Sequence, residues 1–236
     1  MNLSLSGRRA IVCGSTSGIG RACAQLLAER GASVVLAARD EEKLISTVNS
    51  LDGDDHSYIC ADFNDPENLR LKTIDHINKT GVIHILMNNS GGPPGGPLIE
   101  ANPDEFEIAF KRHVISSHIL TQAVVPGMKE KGYGRIINII STSVNQVIPG
   151  LGVSNTIRGA VAQWVKTLAI ELGPYGITAN NVLPGYIDTD RLKNLLEKSA
   201  KDKNITYDQM VTETEKKTSL GRIGLPTEIA SAVAFI

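Results

Sequence analysis

The chain alternates between short apolar runs that break off at Gly, Asn or Ser and longer stretches whose apolar positions recur at helical spacing. The runs at 9–13, 33–38, 58–60, 83–87, 135–140 and 177–183 read as strands. They are apolar along most of their length, as strands covered on both faces are. The stretches at 18–30, 66–79, 103–131 and 152–172 read as helices, and a charged helix starts at Asp40. Gly31 closes the first helix, because glycine enters the left-handed conformation without penalty. Asp65, just before Pro66, is placed to cap another. The stretch 103–131 predicts one long helix bent at Pro126. Strand and helix alternate throughout, which predicts an α/β fold. The expected form is a Rossmann-type, doubly wound parallel sheet in three α/β/α layers with right-handed crossovers.

The segment 191–217 departs from this pattern, being rich in Lys, Glu and Thr and poor in large apolar residues. It reads as a helical insert over about 190–218 of a single domain spanning 1–236. The insert is either a lid over a cleft or an ordinary solvated helix pair. Residues 230–236 are helical up to the last residue of the sequence.

Composition narrows the picture. A chain of 236 residues suits one α/β domain. Hydrophobic residues make up 42% and aromatics only 4%, so Ile, Val, Leu and Ala must build the core. A formal net charge of −1, from 24 basic and 25 acidic residues, argues against a nucleic-acid partner. Cys13, Cys23 and Cys60 lack paired spacing, so no disulfide or metal site is expected and the thiols read as small buried hydrophobes. No apolar signal core opens the chain and no apolar run is long enough to span a membrane. The expectation is a cytoplasmic protein without a membrane partner.

The first strand runs into Gly14-Ser15-Thr-Ser17-Gly18-Ile19-Gly20 and directly into a helix. Each glycine has a purpose in a phosphate-binding turn. Gly14 permits the tight exit from the strand, Gly18 lets backbone approach a pyrophosphate, and Gly20 lets the helix pack close. The helix N-terminus offers free N–H groups and a positive dipole end.

The spacing Gly-x-x-x-Gly-x-Gly resembles the fingerprint of the short-chain dehydrogenase/reductase family. Other positions carry the same resemblance. Asp62, with Phe63, follows the third strand, where the family places an aspartate near the adenine. Asn88-Asn89-Ser90-Gly91 is similar to the family's Asn-Asn-Ala-Gly. The segment 134–141 is similar to its fifth strand and ends in Ser141, the catalytic serine position. Pro184-Gly185, followed by Ile187 and Thr189, resembles the turn that clasps the nicotinamide carboxamide. The resemblance covers about residues 8–190, with a weaker tail at 221–226, and points towards members that reduce beta-ketoacyl groups on acyl carrier protein. It implies a soluble homo-oligomer, a tetramer or dimer, whose relatives continue past a final helix into a strand and a Gly-rich tail.

The second strand ends Ala37-Ala38-Arg39, with no acid before Asp40. An acid there would bind the ribose 2′-hydroxyl of NAD. Ala38 leaves room instead, Arg39 can pair with a 2′-phosphate, and Ser15 can add a hydroxyl. The cofactor expected is NADPH/NADP rather than NAD. The competing reading makes Arg39 a surface residue paired with Glu41 or Glu42.

The family's Tyr-x-x-x-Lys, thirteen residues after the serine, is absent. Ser154 and Arg158 occupy those positions, still one helical turn apart. A serine hydroxyl is far less acidic than a phenol of pKa about 10. Arg158 cannot relay protons as lysine can, although it can hold ribose hydroxyls and stabilise an alkoxide. His113 stands where the family has an asparagine. Two accounts follow. In one, an NADPH-dependent reductase acts on a small carbonyl substrate, with Ser141 and Ser154 orienting the carbonyl, Arg158 stabilising charge, and a water or His113 delivering the proton. In the other, a degenerate NADP(H)-binding module senses nucleotide or binds a partner. The loop 92–97, Gly-Pro-Pro-Gly-Gly-Pro, is expected to wall the substrate cleft.

Overall fold

The computed structural model describes residues 3–236. Six strands form one parallel sheet: β1 (Arg9–Cys13), β2 (Ser33–Ala38), β3 (Ser57–Cys60), β4 (Ile85–Asn88), β5 (Gly134–Ile139) and β6 (Ile177–Val182). Their order is β3-β2-β1-β4-β5-β6, and every pairing is parallel. The helices are α1 (Gly18–Glu29), α2 (Glu41–Val48), α3 (Pro66–Thr80), α4 (Pro103–Phe110), α5 (Ser116–Lys131), α6 (Gly152–Leu172), α7 (Asp190–Lys203), α8 (Tyr207–Glu215) and α9 (Pro226–Phe235).

The strand pleat divides the core in two. Ile11, Val35, Leu86 and Ile136 point to one face, against Leu69 of α3, Leu120 of α5 and Val165 of α6. Val12, Leu36, Met87 and Ile137 point to the other, against Cys23 and Leu27 of α1, Leu44 of α2 and Val233 of α9. Burial of each large aliphatic contributes roughly 1.5–3 kcal/mol, and both faces need it, which explains the apolar strands. This is the three-layer, doubly wound arrangement the alternation predicts. The order reverses between β1 and β4, so a crevice opens beyond their carboxyl ends.

Local chemistry sets the element starts. Asp40 and Asp65 accept hydrogen bonds from the amides of Lys43 and Asn68, capping α2 and α3. The fourth strand begins at Ile85 rather than at 83. The His84 ring accepts from the Arg9 amide at 3.1 Å, so a side chain takes the first rung of that ladder.

The long helix expected over 103–131 is not continuous. A π turn, Lys111–Ile115, separates α4 from α5, while Pro126 lies inside α5 without ending it. The wide turn frees a carbonyl, and the Ser116 hydroxyl lies within reach of Lys111 O at 3.1 Å and Phe63 O at 2.7 Å. Apolar periodicity does not encode such a bulge, because one extra residue barely disturbs the pattern. The turn buries His113 behind the crevice.

The polar segment after β6 folds as α7 and α8. Leu192, Leu196 and Ala200 lie at successive turns of α7 and pack on Met210 of α8, Tyr186 and Ile223. A few apolar positions at helical spacing are enough to seat this pair. Among the described residues no helix is long and apolar enough to cross a membrane.

Candidate active site

The turn after β1 is built so that only glycine fits. Gly14 has φ +60°, and a Cβ there would lie 2.8 Å from the Asn89 carbonyl oxygen. A Cβ at Gly20 would lie 2.0 Å from the Gly14 carbonyl oxygen. Helix α1 therefore starts hard against the strand end. Its N-cap, Ser17, makes no side-chain capping bond, so the first amides remain open. They face a cavity of about 340 Å³ that runs from Thr16, Ser17, Gly18 and Ile19 to Ala38, Arg39, Asp62 and Phe63, with Asn89, Ser90 and Gly91 behind.

Ser15 is not part of this cavity. It is fully buried and its hydroxyl has no hydrogen-bond partner. The turn buries Ser15 and leaves Thr16 lining the cavity in its place. Arg39 lines the cavity and is solvent-exposed. The competing surface pairing does not form. Asp40 pairs with Lys43, Glu41 accepts from the Tyr58 hydroxyl, and among the described residues Arg39 forms no ion pair.

A second cavity, of about 200 Å³, adjoins the first through Ile19, Asn89, Ser90, Thr189 and Arg191. Ser141, Ser154 and Arg158 meet on its wall, facing Pro184, Gly185, Tyr186 and Ile187 on the loop after β6. Ser141 leaves β5 and accepts from the Ser143 amide at 3.1 Å, which fixes its side chain. Ser154 and Arg158 lie one turn apart on α6. The Ser154 hydroxyl makes no hydrogen bond to the described protein. Arg158 donates to the Ile139 carbonyl at 2.9 Å. Burial, and secondarily the positive charge of Arg191, lower its pKa to about 10, so it remains a cation at neutral pH. Thr189 caps α7 by accepting from the Leu192 amide, and its methyl group would be 3.0 Å from a Cβ at Gly18. The loop after β6 and the phosphate turn are thus in contact.

His113 lies behind this wall, not in it. Its Nδ1 is 2.7 Å from the Ser90 hydroxyl oxygen, and its Nε2 has no partner. Burial, reinforced by the charges of Arg158, Arg112 and Arg191, pushes its pKa down to about 2. At neutral pH the ring is uncharged. It adjoins a polar recess of about 10 Å³ shared with Asn88, Asn138 and Arg158. Asn88 and Asn138 are paired in the sheet register and joined by a hydrogen bond of 3.0 Å.

Sequence motifs did not mark Thr16, Arg112 or Arg191. Arg112 donates to Asn64 at 3.1 Å and lines the larger cavity. Arg191 donates to the carbonyls of Gly92 at 3.0 Å and Pro93 at 3.1 Å, joining α7 to the loop at 92–97. The signal for Arg191 was its place two residues after Thr189, at the head of a helix. Burial raises the Cys13 and Cys23 thiols to about 12, so both are protonated at neutral pH.

The family model described as enoyl-(acyl carrier protein) reductase matches residues 14–236. The chain belongs to the short-chain dehydrogenase/reductase family. It is 33% identical over 234 residues to the 3-oxoacyl-[acyl-carrier-protein] reductase of Vibrio cholerae, an alignment covering 99% of this chain and 91% of the relative. The crystal structure of L-sorbose reductase from Gluconobacter frateurii, complexed with NADPH and L-sorbose, superposes with a TM-score of 0.91 at 26% identity. That match covers 100% of this chain and 91% of the other. The 3-ketoacyl-(acyl-carrier-protein) reductase from Brucella melitensis, complexed with NADH, gives 0.86 at 27% identity over 98% of this chain and 91% of the other.

Proposed function

We propose that the protein is an NADPH-dependent oxidoreductase that reduces a small carbonyl substrate to an alcohol, with Ser141, Ser154 and Arg158 in place of the family's usual serine, tyrosine and lysine. The observation that carries this reading is the convergence of those three side chains on a cavity continuous with the glycine-built phosphate cradle.

The cradle fits a dinucleotide. Gly14 and Gly20 let the strand end, Asn89 and α1 approach closely enough to form it, and the uncapped α1 amides suit a pyrophosphate. Ala38 and Arg39 at the end of β2, where an acid would instead bind a bare ribose hydroxyl, favour a 2′-phosphate. Asp62 and Phe63 would border the adenine, with Asn89, Ser90, Gly91, Pro184, Gly185, Ile187 and Thr189 around the nicotinamide end. The relatives found with NADPH, and one with NADH, fit a fold in which the end of β2 sets the preference.

NADPH bound in this cradle supplies the hydride. The protein's own contribution is to orient and to stabilise. The fixed Ser141 hydroxyl and the free Ser154 hydroxyl donate to the carbonyl oxygen, and the Arg158 cation offsets the negative charge that develops there. The proton reaches that oxygen from solvent through the serine hydroxyls, because neither serine nor arginine is a strong acid at neutral pH. His113 does not line the substrate cavity and burial holds it uncharged at neutral pH, which favours a water as donor over His113. It acts as a positioning residue, holding the Ser90 hydroxyl between the two cavities.

Loss of nicotinamide absorbance, followed with NADPH and with NADH across ketones, beta-ketoesters and quinones, tests the reading. Turnover with NADPH over NADH is the expected result. Tight NADPH binding with no turnover on any carbonyl would replace it with the nucleotide-sensing account.

A further inference from the structure

The substrate cavity carries more positive charge than carbonyl reduction requires. Arg158 and Arg191 both line it, and no aspartate or glutamate does. Among the described residues, no ion pair involves either arginine. The protein bonds they make are to neutral carbonyls: Ile139 for Arg158, Gly92 and Pro93 for Arg191. Those bonds aim the guanidinium groups and leave several N–H donors over.

Two like charges in a desolvated cleft disfavour each other unless an anion lies between them. Arg158 feels this, since burial and Arg191 together lower its proton affinity. Arg191 also lines the phosphate cavity, but open α1 amides and Arg112 already serve that cavity, and Arg158 does not line it. The contact around Arg191 is also built. A Cβ at Gly92 would sit 2.6 Å from the Arg191 Cζ, so the guanidinium packs closely on the backbone of Gly92. Ile148, Leu151, Leu192 and Leu195 add apolar surface to the same lining. The cavity of about 200 Å³ is smaller than the roughly 300–1,000 Å³ of drug-sized ligand sites.

We infer that the substrate is a small keto acid whose carboxylate is held between Arg158 and Arg191 while its carbonyl oxygen meets Ser141 and Ser154. A carboxylate matches the planar fork of a guanidinium with two parallel hydrogen bonds. This rests on the carbonyl-reductase reading of the same cleft.

Unreactive straight-chain carboxylates from acetate to octanoate, and the matching primary amides, are titrated calorimetrically into the protein, alone and saturated with NADP. The expected result is carboxylate binding at least about tenfold tighter than amide binding, as bonds to a charged group allow. Arg191→Gln should remove most of that preference, and Arg191→Lys, which keeps the charge but not the fork, should retain part of it. Equal binding of the two series, or no binding of either, overturns the inference. So does an Arg191→Gln protein that weakens NADPH yet keeps the carboxylate preference, because Arg191 would then serve the cofactor. If carboxylates bind as expected but no carbonyl is reduced, the anion site stands and the reductase reading falls.

Discussion

Arg39 is the residue on which cofactor choice turns. It is exposed at the rim of the phosphate cavity and has no acidic partner among the described residues. A 2′-phosphate would give it its only ion pair. Arg39→Ala should weaken NADPH binding at least about tenfold and change NADH binding by less than about threefold, since hydrogen bonds to charged groups are the strong ones. Fluorescence titration of both nucleotides measures the two effects, and equal losses would remove the 2′-phosphate assignment. Gly20 makes a complementary point. A methyl group at Gly20→Ala would collide with the backbone of Gly14, so cofactor binding should be lost together with thermal stability. At this scale the sequence was informative where the constraint is local. The glycines, Ala38 and Arg39 sit in one contiguous strand–turn–helix or at one strand end, so spacing exposes their purpose. Ser15 misled because spacing does not tell which way a turn residue points. Arg112 and Arg191 were missed because the contacts that give them meaning, to Asn64, Gly92 and Pro93, are made across the fold.

The π turn between α4 and α5 is the element that sequence periodicity could not resolve. It carries His113 inward to the Ser90 hydroxyl and away from water. Burial holds the folded-state pKa at about 2, below the ordinary value of 6.5, so the unfolded chain binds a proton that the folded chain refuses. Stability should therefore be fully present above about pH 6.5 and be lost as pH falls below it, by up to about 1.4 kcal/mol per pH unit for this one group. His76 and His84 are also depressed by burial and act in the same direction. The difference between wild type and His113→Gln isolates the contribution of His113. Chemical denaturation at pH 5 and pH 7 should show a smaller acid loss in the variant, and an identical loss in both proteins would mean that His113 is not held neutral. Where elements begin and end, by contrast, was legible to within a residue or two, because strand length and caps such as Asp40 and Asp65 are written locally.

For the whole molecule, the doubly wound sheet was legible from the alternation of apolar strands and amphipathic helices, since both faces of every inner strand must be covered. The helical character of the segment that forms α7 and α8 was legible, but its ties to the rest of the fold were not. Arg191 and Lys198 tie α7 to the loop at 92–97 through the carbonyls of Gly92, Pro93 and Gly95. The cavities therefore lie between the sheet end and a segment held by a few polar bonds. A nucleotide that fills them binds the folded state alone. NADPH at about one hundred times its dissociation constant should stabilise the protein by about 2.7 kcal/mol, read as a raised melting temperature. No shift would remove the dinucleotide reading altogether.

The central claim is that Ser154 and Arg158 act on the substrate from one face of α6 in place of tyrosine and lysine. The most direct measurement is kcat for Ser154→Ala and Arg158→Ala with a substrate the wild type reduces, with NADPH affinity determined on the same preparations. The account predicts a loss in kcat of at least about a hundredfold for each variant, the usual scale for removing one stabilising donor. Ser154→Ala should keep wild-type NADPH affinity. Variants that fold, bind NADPH and turn over at the wild-type rate would contradict it.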